Sequence, residues 1–78
     1  MMIITVLNRN CSEAYIMYCG KDLARATAIF IDGLLDEMYD PDVYDEATRE
    51  RVVENAKRDI ELRNRADNFG YELQIWNE

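Results

Sequence analysis

Histidine is absent from this 78-residue chain, proline occurs once and glycine three times. Each scarcity closes an option. Without an imidazole there is no ready general base near neutral pH. Two cysteines, Cys11 and Cys19, are too few to form a zinc site on their own. Three scattered glycines leave neither a phosphate-cradling loop nor a nucleophile elbow. No catalytic residue, cofactor or metal ligand set is therefore expected, and the chain reads as a binder rather than an enzyme.

Long apolar runs are missing as well. No stretch approaches the roughly 18 apolar residues of a spanning helix, and the opening MMIITVLNRN has no basic leader, so it does not read as a signal peptide. If residues 13–19 form a strand, the eight steps from Cys11 to Cys19 span up to ~26 Å of extended chain. A disulfide needs Cα atoms within about 7 Å. The cysteines are expected to stay reduced, which places the chain in the cytoplasm.

Bases are in short supply: nine against sixteen acids, for a net charge of −7. Affinity for phosphates comes mainly from lysine and arginine. Direct binding of nucleic acid, or of an anionic membrane, is accordingly not expected.

What the sequence does contain is enough apolar matter for one domain, residues 1–78. Hydrophobic residues make up 49%, and a chain of this length buries roughly 60–65% of the surface its unfolded form exposes. MIITVL (residues 2–7) is rich in β-branched types and predicts a strand. The polar break NRNCS predicts a turn, and EAYIMYC (13–19) a second strand. Asp22 is a candidate helix cap. From residue 23 to about 39, Leu23, Ala26, Phe30, Leu34 and Met38 recur at helical spacing. Asp40-Pro41 breaks that pattern.

A second helix is expected from about 43 to 67, opened by Asp42 and Asp45 in the manner of a capping box. Its apolar stripe is thin: Val43, Ala47, Val53, Ala56, Ile60. Four acid–arginine pairs at four-residue spacing, Asp45–Arg49, Glu54–Arg58, Asp59–Arg63 and Glu61–Arg65, are expected to support it. YELQIW (71–76) alternates as a final strand. The fold class is α+β, in the order β-β-α-α-β: a small three-stranded sheet, mainly antiparallel, with a helical hairpin packed on one face and overhanging it.

The charge is unevenly placed. Residues 32–50, DGLLDEMYDPDVYDEATRE, hold eight acids and one arginine, a net −7 that equals the charge of the whole chain. Asp32, Asp36 and Asp40 recur every four residues on the first helix, and Glu46, Glu50 and Glu54 do so on the second. Four helical residues rise ~6 Å, so two such ladders can imitate rows of phosphates. Two readings stand, a solvated helical face or a surface for a basic partner. Favouring the second, Asp36, Glu37 and Asp40 sit at a helix C-terminus, where the macrodipole disfavours anions. Tyr39 and Tyr44 flank Pro41 in the same segment, either as interface anchors or as packing for the turn. The candidate partner-binding residues are Asp32, Asp36, Glu37, Tyr39, Asp40, Asp42, Tyr44, Asp45, Glu46 and Glu50.

A second candidate surface is the sheet face away from the helices. Parity puts Tyr71, Leu73 and Ile75 inward, hence Trp76 outward, together with Tyr15 and Met17; such a patch fits a partner or a homodimer. Metal binding is not expected: an EF-hand loop starting at Asp40 requires glycine where Asp45 stands and glutamate where Arg51 stands. Cys11 in the turn is a candidate reactive thiol, without a histidine beside it.

With its acid ladders, its length and its β-β-α-α-β order, the chain resembles the small acidic inhibitors encoded by phages and mobile elements, including anti-CRISPR proteins and other DNA mimics. The likeness rests on DGLLDEMYDPDVYDEATRE and on no family motif. It implies a stoichiometric inhibitor that occupies the nucleic-acid channel of a basic protein or nucleoprotein complex. Arg49, Arg51, Arg58, Arg63 and Arg65 depart from an all-acidic mimic. The alternative is a homo-oligomeric structural or adaptor module joined through the sheet face.

Overall fold

Alternation of β-branched residues makes the first strand, β1 (Met2–Asn8), and its inward set Ile4 and Val6 is fully buried. In a computed structural model that describes residues 1–10 and 12–77, β1 is followed by β2 (Tyr15–Gly20), α1 (Leu23–Glu37), α2 (Glu46–Arg63), β3 (Arg65–Asn68) and β4 (Tyr71–Asn77). The four strands form one antiparallel sheet in the order β2-β1-β4-β3, so the first and last strands pair at its centre. Both helices lie on one face. Cys11, the candidate thiol, lies outside the described residues.

The α+β class and the order of the expected elements hold, but the sheet has four strands rather than three. The expected second helix ran through residue 67; the chain leaves α2 after Arg63 because Asn64 adopts the left-handed conformation (φ 57°) as its C-cap. Asparagine tolerates that geometry. The next four residues then pair with β4 and send Ala66 into the core. The front end of α2 differs too. Its cap is Asp45, not Asp42, and Val43 belongs to the preceding turn.

Along α1 most of the predicted stripe is buried: Ala26, Phe30 and Leu34, continued by Met38, are fully inaccessible, whereas Leu23 at the start of the helix is 39% exposed. Asp22 caps this helix, its Oδ1 accepting from the Arg25 N–H at 3.1 Å. Gly33 lets α1 approach β4 closely, since a Cβ there would stand 2.8 Å from the Tyr71 ring. On α2 only Ala56 and Ile60 are buried. None of the four expected acid–arginine pairs on α2 forms an ion pair. Arg58 bonds Asn55 instead, and Arg65, now in β3, turns to the sheet. Among the described residues, every ion pair joins Arg9 or Arg65 to Asp67 or Glu72. At ~1.5 Å per residue α2 spans about 27 Å, close to the ~23 Å of a seven-residue strand, so the expected overhang is small.

Candidate functional site

The acidic segment is built around a buried plug, Met38, which ends α1 and is fully inaccessible. Pro41 fixes its own φ and makes the reversal that follows. The Asp40 backbone carbonyl accepts from the N–H groups of Val43 and Tyr44 at 3.1 and 2.8 Å. Its side-chain Oδ1 accepts from the Asp42 N–H at 2.9 Å, closing an Asx turn. Asp45 then caps α2, its Oδ1 accepting from the Thr48 N–H at 2.7 Å. Hydrogen bonds from the Thr48 side chain and backbone hold the Asp45 carboxyl below the ordinary aspartate value of 3.8.

That lowered value makes the cap acid-sensitive. Its stabilisation is complete above the unfolded value of 3.8 and is lost as the pH falls through the lower folded value. Asp45→Asn should keep the cap, because asparagine also caps well, while removing this titration. An acid titration followed by helical circular dichroism should show the variant losing less helix than the parent. Parallel curves would show that the carboxylate form of the cap contributes nothing.

The turn is anchored to the sheet. Tyr44 meets Phe69 edge to face, with centroids 6.0 Å apart at 90°. Phe69 has φ 53° and Gly70 φ 81°, so the two form the tight loop between β3 and β4. Left-handed backbone is unfavourable for a bulky residue; here the ring reaches Tyr44 and the core edge. Glu37 makes two long contacts, accepting from the Tyr71 hydroxyl at 3.5 Å and from Asn10 Nδ2 at 3.4 Å. Burial of Tyr71, and then the Glu37 carboxylate, push its phenol above 10.0.

The ten expected partner-binding residues thus fall into two groups. Glu37, Asp40, Tyr44 and Asp45 are engaged within the fold. Asp32, Asp36, Tyr39, Asp42, Glu46 and Glu50 project outward, with Tyr39 at 78% exposure. Val43 and Leu35 stand among them, 66% and 40% exposed. The sequence pattern counts Val43 as a core-stripe residue. None of the eight acids in residues 32–50 has an ion-pair partner among the described residues.

The ladders differ from expectation. Asp40 lies beyond the end of α1, so that ladder has only Asp32 and Asp36. At about 100° per residue, both lie on the solvent side, ~200° and ~240° round from Phe30. Glu50 and Glu54 line a groove of about 450 Å³ between the helices, with Leu35, Val53, Arg49 and Lys57. That groove is charge-balanced, and the two ladders do not face each other across it. The unbalanced negative surface is the outer side of α1, the turn and the start of α2.

The second candidate surface also changes composition. Trp76 faces away from the helices as expected, paired with Ile3, its Nε1 donating to Thr5 Oγ1 at 3.0 Å. Tyr15 and Met17 do not join it. The register of β2 against β1 shifts between Val6 and Leu7, pairing Val6 with Tyr18 but Leu7 with Ile16. This extra residue, a β-bulge, reverses the parity of the strand start. Tyr15 pairs with the inward Asn8, whose Nδ2 donates to the Tyr15 hydroxyl at 3.0 Å, and Met17 packs against the core. Ile16, 62% exposed, takes their place on the outer face.

Among the described residues no group of three or more potential metal ligands clusters, and no helix is long and apolar enough to cross a membrane. Comparison with protein-family models, with curated proteins and with solved structures gave no match to this chain.

Proposed function

We propose that this chain is an acidic inhibitor or modulator that binds a basic, nucleic-acid-handling protein complex, in the manner of the anti-CRISPR and DNA-mimic class it resembles. One observation carries the reading. Among the described residues none of the eight acids of residues 32–50 forms an ion pair, although α2 supplies arginines at pairing distance in sequence. Charges left without an internal partner are available to an external one, and clustered charges of one sign attract the opposite sign over a Debye length of about 8–10 Å.

The mechanism is competition. Carboxylates of Asp32, Asp36, Asp42, Glu46 and Glu50 take the place of phosphates against lysines and arginines of the target. Tyr39 and Val43, exposed in the midst of these acids, supply the apolar contact that charge alone does not give. The target is a protein, its compartment is the cytoplasm, and no catalytic step is involved.

The test is capture of proteins from nuclease-treated extract by the immobilised chain across a salt series. A nucleic-acid-handling complex retained at low salt and released as salt rises is the expected result, because the contact is between exposed charges. A target whose retention is indifferent to salt would place the contact elsewhere on the molecule.

A further inference from the structure

We propose that the uncovered face of the sheet is the contact surface of a homodimer, its occupant a second copy of this chain. The face carries Ile3, Ile16 and Trp76, 37%, 62% and 53% exposed, with Leu7 beside Ile16 in register. Both helices lie on the opposite side, so nothing within the described chain covers these residues.

Charge selects the occupant. Two copies at −7 repel each other wherever their acids approach. The outer sheet face is the exception. Among the described residues, the charged side chains paired across it are Arg9, Arg65, Asp67 and Glu72, two of each sign, bonded to one another at 2.7 to 3.6 Å. Residues 21–63, by contrast, hold twelve acids against seven bases. A basic partner is drawn to that side, whereas a like-charged copy can approach only through the neutral one.

The face is also ready to lose water. The single polar group of the indole already donates to Thr5 Oγ1 at 3.0 Å, so burying Trp76 strands no donor. A two-fold axis sets this patch against its own image, as closed dimers require. Four strands at ~4.8 Å and seven residues at ~3.3 Å give a footprint of about 440 Å² per copy. Stable interfaces bury roughly 800 Å² per partner, so the dimer is a weak one that forms at high concentration.

The experiment is sedimentation equilibrium from micromolar to millimolar chain at low and high salt, with tryptophan emission recorded in parallel. Trp76 is the sole tryptophan and reports this face alone. Mass should rise toward twice the monomer, more at high salt because screening weakens the repulsion, and emission should move to the blue with it. Ile16→Lys keeps the indole as reporter and lowers the net negative charge, which by itself favours association. It should nevertheless weaken dimerisation by about ten-fold or more, since it buries an unpaired ammonium. Circular dichroism checks that the variant folds. A monomer throughout, association that salt weakens, a dimer without an emission shift, or a dimer indifferent to Ile16→Lys would each overturn the proposal. None of these outcomes bears on the acidic side, whose contact weakens with salt.

Discussion

Phe30→Ala should bring the chain close to unfolding at room temperature. The ring is fully buried at the middle of α1, in one cluster with Ile4, Val6, Leu34 and Leu73. Truncating a buried phenylalanine costs about 3–5 kcal/mol, part from lost transfer and part from the cavity left behind. At ~0.05–0.15 kcal/mol per residue, a chain of 78 residues has about 4–12 kcal/mol in all. α2 offers little to offset the loss, because it buries only Ala56 and Ile60 fully, with Val52 packed partly against the core. Urea unfolding should show the midpoint collapsing for Phe30→Ala while Leu35→Ala, at a position 40% exposed, barely moves it. Equal midpoints for the two variants would remove Phe30 from the centre of the core.

Reversing three charges, Asp32→Lys, Asp36→Lys and Glu50→Lys, should weaken the proposed target contact by about a hundred-fold or more, since close interfacial charge pairs couple strongly. These positions are chosen because none of the three side chains has a hydrogen bond or ion pair among the described residues. Asp40 and Asp45 are poor choices by comparison. Reversing them would open the Asx turn or uncap α2, and lost binding would then report lost structure. The triple variant should keep the parent's circular dichroism and urea midpoint. Target affinity read by calorimetry, and unchanged in a folded triple variant, would rule out the acidic side as the contact.

Where the sequence was readable, one periodicity had one meaning. Ala26, Phe30, Leu34 and Met38 repeat at helical spacing and are all fully buried, and Tyr71, Leu73 and Ile75 alternate into the core. β3 escaped because its four residues, Arg-Ala-Asp-Asn, are poor strand formers that owe their conformation to pairing with β4. The left-handed Asn64 that ends α2 was hidden inside a helical-looking charge pattern. The bulge in β2 left no composition signal either, yet this one residue exchanged Tyr15 and Met17 for Ile16 on the outer face. Within the acidic segment, composition announced the charge but not its division. Whether an aspartate projects or folds back onto a backbone N–H depends on where a helix starts, and that boundary moved by three residues.

The pairing of β1 with β4 also sets a schedule for synthesis. Met2 is matched with Asn77 and Asn8 with Tyr71, so the central seam of the sheet joins segments made far apart in translation. A nascent chain that has completed β1, β2 and α1 holds only a hairpin and one helix, and an isolated hairpin is marginal in water. Ile4 and Val6 must wait for Leu73 and Ile75 to leave the ribosome before they are enclosed. Contacts this distant slow folding and lengthen the time that apolar strands stay open to misassociation. A chain terminated before Tyr71 is therefore expected to leave no folded remnant, only a target for proteolysis.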